Sequence, residues 1–181
     1  MPISLQDLAN DLVPQNTVLL FGSGSSIPSG APSVATLIER LSRDFDVEAN
    51  GYSLSEIASL CEAKKGRRRV IQLIRDACAN LSPTGGLKNL PLYPWKSIFT
   101  TNYDDLIEKA YKNKGKRIRV YHSNFCFTTG DDAEDAVLFK SHGTIEHDVC
   151  DGHNSRIILT EGDYEHTESY REYLYNRLKG D

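Results

Sequence analysis

The run Val18-Leu19-Leu20-Phe21 passes directly into Gly22-Ser23-Gly24-Ser25-Ser26, and an amphipathic segment over residues 36–45 follows. Four apolar residues, then glycines and hydroxyls, then apolar residues at helical spacing read as buried strand, tight turn and helix. Glycines let the backbone approach a ligand closely. The free N–H groups and positive dipole end of the next helix favour an anion there. The expected ligand is a phosphate or pyrophosphate, most simply that of a dinucleotide. The full Gly-x-Gly-x-x-Gly pattern is absent, because Ile27 stands where the third glycine would be and Gly30 lies further on. A plain strand-to-helix turn therefore also fits this segment taken alone.

The rest of the chain alternates strands with helices. Residues 4–13 predict a short amphipathic helix with Leu5, Leu8, Ala9 and Leu12 on one face, stopped at Pro14. Ser33 is a candidate N-cap for the helix through Phe45, and Ser53 with Glu56 fits a capping box. A further helix resumes after Gly66 over residues 67–81, and the basic run Lys64, Lys65, Arg67, Arg68, Arg69 at that junction reads as a solvated helix end. Strands are predicted over 97–101, 118–121, 137–141 and 156–160, and helices over 103–111 and 164–178. Residues 130–135 read as an acidic loop. The pattern predicts an α/β, Rossmann-like fold with a largely parallel sheet and flanking helices. Doubly wound sheets of this kind carry about six strands. The smaller number here predicts a fold truncated at its C-terminus, one domain over residues 1–181 at the start of a longer protein.

Composition excludes several classes. A length of 181 residues suits one domain with a real core and would cramp two. A formal net charge of -4 argues against a general nucleic-acid binder. No apolar run approaches the roughly 20 residues that span a membrane, and residues 1–11 lack a basic stretch followed by an apolar one. The expectation is a cytoplasmic protein without membrane partners. Cys61, Cys78, Cys126 and Cys150 form no Cys-x-x-Cys pair, so they are expected as free thiols. Cys61 and Cys78 fall in helical segments facing the core. Cys150 lies near His142, His147 and His153 at a spacing that matches no standard metal site, so no metal is expected.

Two further segments carry candidate chemistry. Thr100-Thr101-Asn102-Tyr103-Asp104 puts Asn102 and Asp104 at the C-terminal end of a strand, where open α/β sheets bind ligands. Either residue also suits the cap of the next helix. Lys140-Ser141-His142-Gly143 puts a histidine after another strand, followed by a glycine that permits an unusual backbone. A structural histidine fits that position as well.

In order, Gly22-Ser23-Gly24-Ser25-Ser26, Thr100-Thr101-Asn102-Tyr103-Asp104 and His142-Gly143 resemble the phosphate loop, the Thr-Gln-Asn-x-Asp strand end and the His-Gly pair of the sirtuin family. Gly30-Ala31-Pro32 is similar to that family's Gly-Ile-Pro turn. The departures point away from its deacylases. Ser33-Val34-Ala35 replace Asp-Phe-Arg, and no four-cysteine zinc module follows His142. The chain more closely resembles the zinc-free sirtuin-like domains of bacterial antiphage defence, which share the Thr-Asn-Tyr-Asp form and a Leu-Thr-x-x-Asp-Tyr segment like Leu159-Thr160-Glu161-Gly162-Asp163-Tyr164.

That resemblance implies an NAD+ glycohydrolase that cleaves the nicotinamide–ribose bond and depletes NAD+ in abortive infection. It implies Asn102 and His142 as catalytic residues. Gly22, Ser23, Gly24, Ser25 and Ser26 would hold the pyrophosphate, and Asp104 would orient the carboxamide. It implies NAD+ as substrate without a metal, self-association through a region beyond residue 181, a phage-derived trigger and control of activity by assembly. A non-catalytic sensor of NAD+ or ADP-ribose is the alternative, and a protein deacylase is the third reading.

Overall fold

Four short strands, Val18–Phe21 (β1), Ser97–Thr100 (β2), Ile118–Tyr121 (β3) and Ala136–Lys140 (β4), form one sheet in the order β1-β2-β4-β3. Every pairing is parallel, so all four strands end on the same edge. The computed structural model describes residues 3–123, 136–148 and 156–180. The predicted loop at 130–135, Cys126, Cys150 and His153 lie outside the described residues.

Parallel strands are commonly buried on both faces, and β2 is buried throughout. By contrast β1, expected as a buried strand, is only half-buried and exposes Leu20, because it is an edge strand with a neighbour on one side only among the described residues. On one face Ile98 and Leu138 pack against Leu106, Ile107 and Tyr111 of the helix Leu106–Asn113 (α5) and against Leu87 and Leu90 of a 3-10 segment. On the other, Phe99, Tyr121 and Phe139 stack with ring centroids 4.6 and 5.2 Å apart and meet Leu174. Offset aromatic pairs of this kind add about 0.5–1.5 kcal/mol beyond their buried area.

The connection from β1 to β2 is a helical module with its own core. It comprises Val34–Phe45 (α2), Leu54–Lys65 (α3) and Arg67–Ala77 (α4). Leu37, Leu41 and Phe45 of α2 pack with Ile57 and Cys61 of α3 and with Val70, Ile71 and Ile74 of α4. Ile145, Ile157 and Leu159, from beyond β4, complete that core. Ser33 caps α2 through Thr36 N, and Ser53 with Glu56 forms the predicted capping box.

Several boundaries move for identifiable reasons. The helix expected from Tyr103 starts at Leu106, because Asp104 Oδ1 accepts from Leu106 N at 3.1 Å and turns the preceding residues into a loop. Helix α4 ends at Ala77, and Asn80 then takes a left-handed φ of 58°. The last helix is two: Glu161–Glu165 (α6), opened by a Thr160–Asp163 capping box, and Thr167–Gly180 (α7). The N-terminal helix Leu5–Asp11 (α1) buries none of its residues among the described ones.

Two expectations fail. Residues 156–160 form no strand, although Ile157, Ile158 and Leu159 are buried. Their backbone is bound by side chains instead of by a neighbouring strand. The basic run is not uniformly solvated either: Arg67 is 7% exposed. Arg67 shares a helical face with Val70, Ile71 and Ile74, so the residue facing the core is dictated by the period of the helix.

Candidate active site at three adjacent strand ends

The ends of β1, β2 and β4 lie side by side because Phe21 pairs with Thr100, and Thr100 with Lys140. The ladder continues one step past each strand. Thr101 N donates to Phe21 O at 3.1 Å, and Ser141 N donates to Thr100 O at 2.9 Å. The three sequence motifs, 80 or more residues apart in part, are thereby brought onto one edge. A cavity of about 250 Å³ opens there, with Ser23, Ser26, Asn102, Asp104 and His142 on its polar side. Ala31 and Pro32 from the turn before α2, with Val34 and Leu37 of α2 and Leu54 of α3, make its apolar side. Gly22, Gly24 and Ser25 are not among the lining residues.

Hydrogen-bond logic dictates the orientation of Asn102. Ser26 Oγ donates to Asp104 Oδ2 at 2.7 Å, and Ser25 Oγ donates to the Gly22 carbonyl at 2.8 Å. A hydroxyl has one hydrogen, so each serine is left as an acceptor. Asn102 Nδ2 donates to both, at 3.1 Å to Ser25 and 2.8 Å to Ser26. The amide nitrogen must therefore face the serines. Asn102 Oδ1 is buried and has no hydrogen-bond partner among the described residues. An orphaned buried acceptor costs about 1–3 kcal/mol unless something binds it.

The first turn after β1 is a 3-10 segment, Ser23–Ser25. The amides of Ser25 and Ser26 close it onto Gly22 O and Ser23 O. Those of Ser23 and Gly24, at its start, are left for other partners. Gly22 sits at φ -109°, which any residue adopts, and a Cβ added at Gly22 or Gly24 would meet no protein atom within 4 Å. Neither backbone strain nor packing among the described residues demands glycine here. Gly30 differs: its φ of 91° is left-handed and does favour glycine.

His142 follows β4, and the turn that presents it closes with Gly143 at φ 80°. Its carbonyl accepts from Ile158 N at 3.0 Å, and its ring meets Tyr164 edge-on with centroids 5.7 Å apart. Burial, then the Asp163 charge, pushes the Tyr164 phenol up. Tyr103, half-buried, donates its hydroxyl to Ile158 O at 2.7 Å, and desolvation raises its pKa. Cys78 lines the cavity, and burial together with Asp104 pushes its thiol up to about 11, so it stays protonated at neutral pH. Beneath the site Lys140, fully buried, donates to Asp104 O, to Glu108 Oε1 at 3.0 Å and to Thr144 Oγ1 at 3.1 Å. Asp104 is thus held from both ends, by side chain and carbonyl.

Sequence reasoning located Asn102, Asp104, His142 and the serines but not Tyr103, Cys78, Tyr164 or Lys140 as part of the same constellation. Tyr164 belongs to the Leu-Thr-x-x-Asp-Tyr segment, which was the available signal. Among the described residues no group of three or more His, Cys, Asp or Glu could hold a metal ion. No described helix is long and apolar enough to cross a membrane.

Comparison with known proteins agrees with the geometry. Residues 96–181 match the family model of the SIR2-like domain. Over 183 residues the chain is 29% identical to the NAD(+) hydrolase ThsA of Bacillus cereus (strain MSX-D12), covering 98% of this chain and 37% of that protein. It is 29% identical over 184 residues to the ThsA of Acinetobacter baumannii (strain 532279), covering 99% and 36%. It is 27% identical over 186 residues to that of Cytobacillus dafuensis, covering 99% and 35%. The chain therefore spans little more than a third of these curated relatives. The three motifs converge on one sheet edge, and the chain is similar to the SIR2-like domain over residues 96–181 and to these NAD(+) hydrolases along nearly its whole length.

Proposed function

We propose that this domain hydrolyses NAD+ at the nicotinamide–ribose bond, as the catalytic part of an antiphage NAD+ hydrolase. The observation that carries this reading is Asn102, whose amide is locked by Ser25 and Ser26 and whose Oδ1 is buried without a partner beside the cavity. That acceptor is oriented for a water or a ribose hydroxyl.

The size of the cavity supports one end of a dinucleotide. Drug-sized pockets run from roughly 300 to 1,000 Å³, so about 250 Å³ suits the nicotinamide ribose and leaves the pyrophosphate outside. The open space before Gly22 and Gly24, with the amides at the start of the turn, suits that pyrophosphate. Asp104 already accepts from Ser26 and Leu106 N, and each carboxylate oxygen keeps a lone pair for the carboxamide N–H.

In the reaction the C1′–N bond breaks, its electron pair leaves with neutral nicotinamide, and positive charge builds on the ribose. Water adds at C1′ and gives up a proton, yielding ADP-ribose. Asn102 Oδ1 orients the water, and His142 takes the proton directly or from a ribose hydroxyl. Depletion of NAD+ in an infected cell, and silence until further parts of a longer protein assemble on a phage-derived trigger, complete the proposal.

The test is nicotinamide release from NAD+ by the purified protein, compared with Asn102→Ala. Release by the wild type and its loss in the folded variant is the expected result. Binding of NAD+ without release indicates a sensor. Release only with an acylated peptide indicates a deacylase.

A further inference from the structure

Residues 157–160 are buried without a strand ladder among the described residues, and most of the backbone bonds they make go to side chains. Ile157 N donates to Asp148 Oδ2 at 2.8 Å, and Ile157 O accepts from Arg67 Nη2 at 3.1 Å. Ile158 O accepts from Tyr103, and Ile158 N donates to the carbonyl of His142. Leu159 N and Thr160 N both donate to Asp163 Oδ2, at 3.2 and 3.0 Å. The two carboxylates do the work of a missing strand. Arg67 pairs with both, with Nη2 at 2.8 Å from Asp148 and Nη1 at 2.9 Å from Asp163, whose other oxygen lies 3.2 Å from Arg156 Nη2. Its planar fork spans four acceptors at once, Asp148, Asp163, the Ile157 carbonyl and Glu62, which a point charge does not.

A buried ion cluster is a poor device for stability, because desolvation offsets most of the attraction. What it secures here is a geometry. The segment touches the site at two places: Ile158 N on the His142 carbonyl, and Tyr164, one residue past Asp163, edge-on to the His142 ring. We propose that Arg67 is a positioning residue for the reaction, acting through the side-chain-strapped segment 157–164 to set the place of His142. This deepens the functional reading and rests on it for the catalytic role of His142, whereas the mechanical link from Arg67 to His142 stands on the geometry alone.

The experiment uses Arg67→Lys, which keeps the charge and loses the fork, with the exposed Arg43→Lys as control. Arg67→Lys is expected to lower kcat for nicotinamide release about 10- to 100-fold, the cost of a misplacement near 1 Å, with KM within about twofold. In a His142→Ala background the same change should lower kcat no further, since a residue that acts through another is not additive with it. The His142 ring signals in proton NMR should shift in Arg67→Lys and not in Arg43→Lys. Additive losses, or unmoved ring signals, overturn the proposal. If wild-type protein releases no nicotinamide, the functional reading fails and the ring signals alone decide the link. If Arg67→Lys does not fold, Tyr103→Phe, which removes only the hydroxyl on Ile158 O, is read by the same three criteria.

Discussion

The two polar walls of the cavity are built differently. The wall at β1 and β2 is an extension of the sheet: ladder bonds place Thr101 and Asn102, and serine hydroxyls, an amide and one carboxylate interlock over distances of 2.7 to 3.1 Å. The wall at β4 has His142 at a strand end too, but its support is segment 157–164, which no strand pairs with and which buried charges hold. Trimming one member of the hydrogen-bonded wall costs about 1–3 kcal/mol. A buried charge cluster loses more when one member is removed, because its partners are left desolvated and unpaired. The difference teaches that two neighbouring strand ends can be held by unlike physics, one by the ladder and one by buried charge.

The sharpest way to break this comparison is Arg67→Met. Removing the shared cation should cost about 3–5 kcal/mol of unfolding free energy in denaturant titration. Ser26→Ala, on the other wall, should cost about 1–2 kcal/mol. Equal losses would mean that the ionic wall is no more brittle than the sheet wall.

Activity should depend on residues of both walls. Asn102→Ala should reduce nicotinamide release on the order of 100-fold in a protein that still folds. His142→Ala should reduce it about 100- to 10,000-fold, the usual range for a general base. A folded Asn102→Ala protein with wild-type turnover would remove this residue from the reaction.

Gly22→Ala sharpens the role of the turn. The added methyl meets no protein atom within 4 Å, at a φ that alanine accepts. Stability should therefore stay level or rise by about 0.4–1 kcal/mol through the unfolded chain. NAD+ binding by calorimetry should nevertheless weaken by about tenfold, the equivalent of one lost contact near 1.4 kcal/mol. Unchanged binding would place the pyrophosphate elsewhere.

The smallest effects are those of pH. Burial raises the Asp163 carboxyl, but the Thr160 amide and Arg67 outweigh it and hold it below the ordinary 3.8. A depressed carboxylate contributes stability above its unfolded pKa, and that contribution is lost as pH falls through the folded one. The Asp163 share should thus be constant down to about pH 4 and disappear below. His147 is held below the ordinary 6.5 by burial and by the charges of His122 and Lys140. Its share should fade as pH drops from 6.5 toward the lower folded value. Melting temperatures from pH 8 to 3 should decline in those two steps, and Asp163→Asn should abolish the second.

Much of this was legible beforehand where local signals and fold agree. The strand Val18–Phe21, the Ser33 cap and the Ser53–Glu56 box are written in adjacent residues, so the observed elements follow the pattern closely. Residues 156–160 carry the same apolar signature as a strand, and only the lack of a neighbouring strand among the described residues tells them apart. Arg67 reads like Arg68 and Arg69 unless the helix is projected onto the face it shares with Val70, Ile71 and Ile74.

By itself, the sequence determined the parallel α/β order and the three strand-end motifs, because hydrophobic period, glycine turns and caps are short-range physics acting within a few residues. Tertiary structure alone decided which amide edge of Asn102 faces Ser25 and Ser26, that Asp104 is anchored by Lys140 beneath it, and that Arg67 reaches Asp148 and Asp163. Those partners lie between 36 and 96 residues apart along the chain. Their pairing depends on which groups the packed core brings within 3 Å and withholds from water, a choice no local pattern encodes.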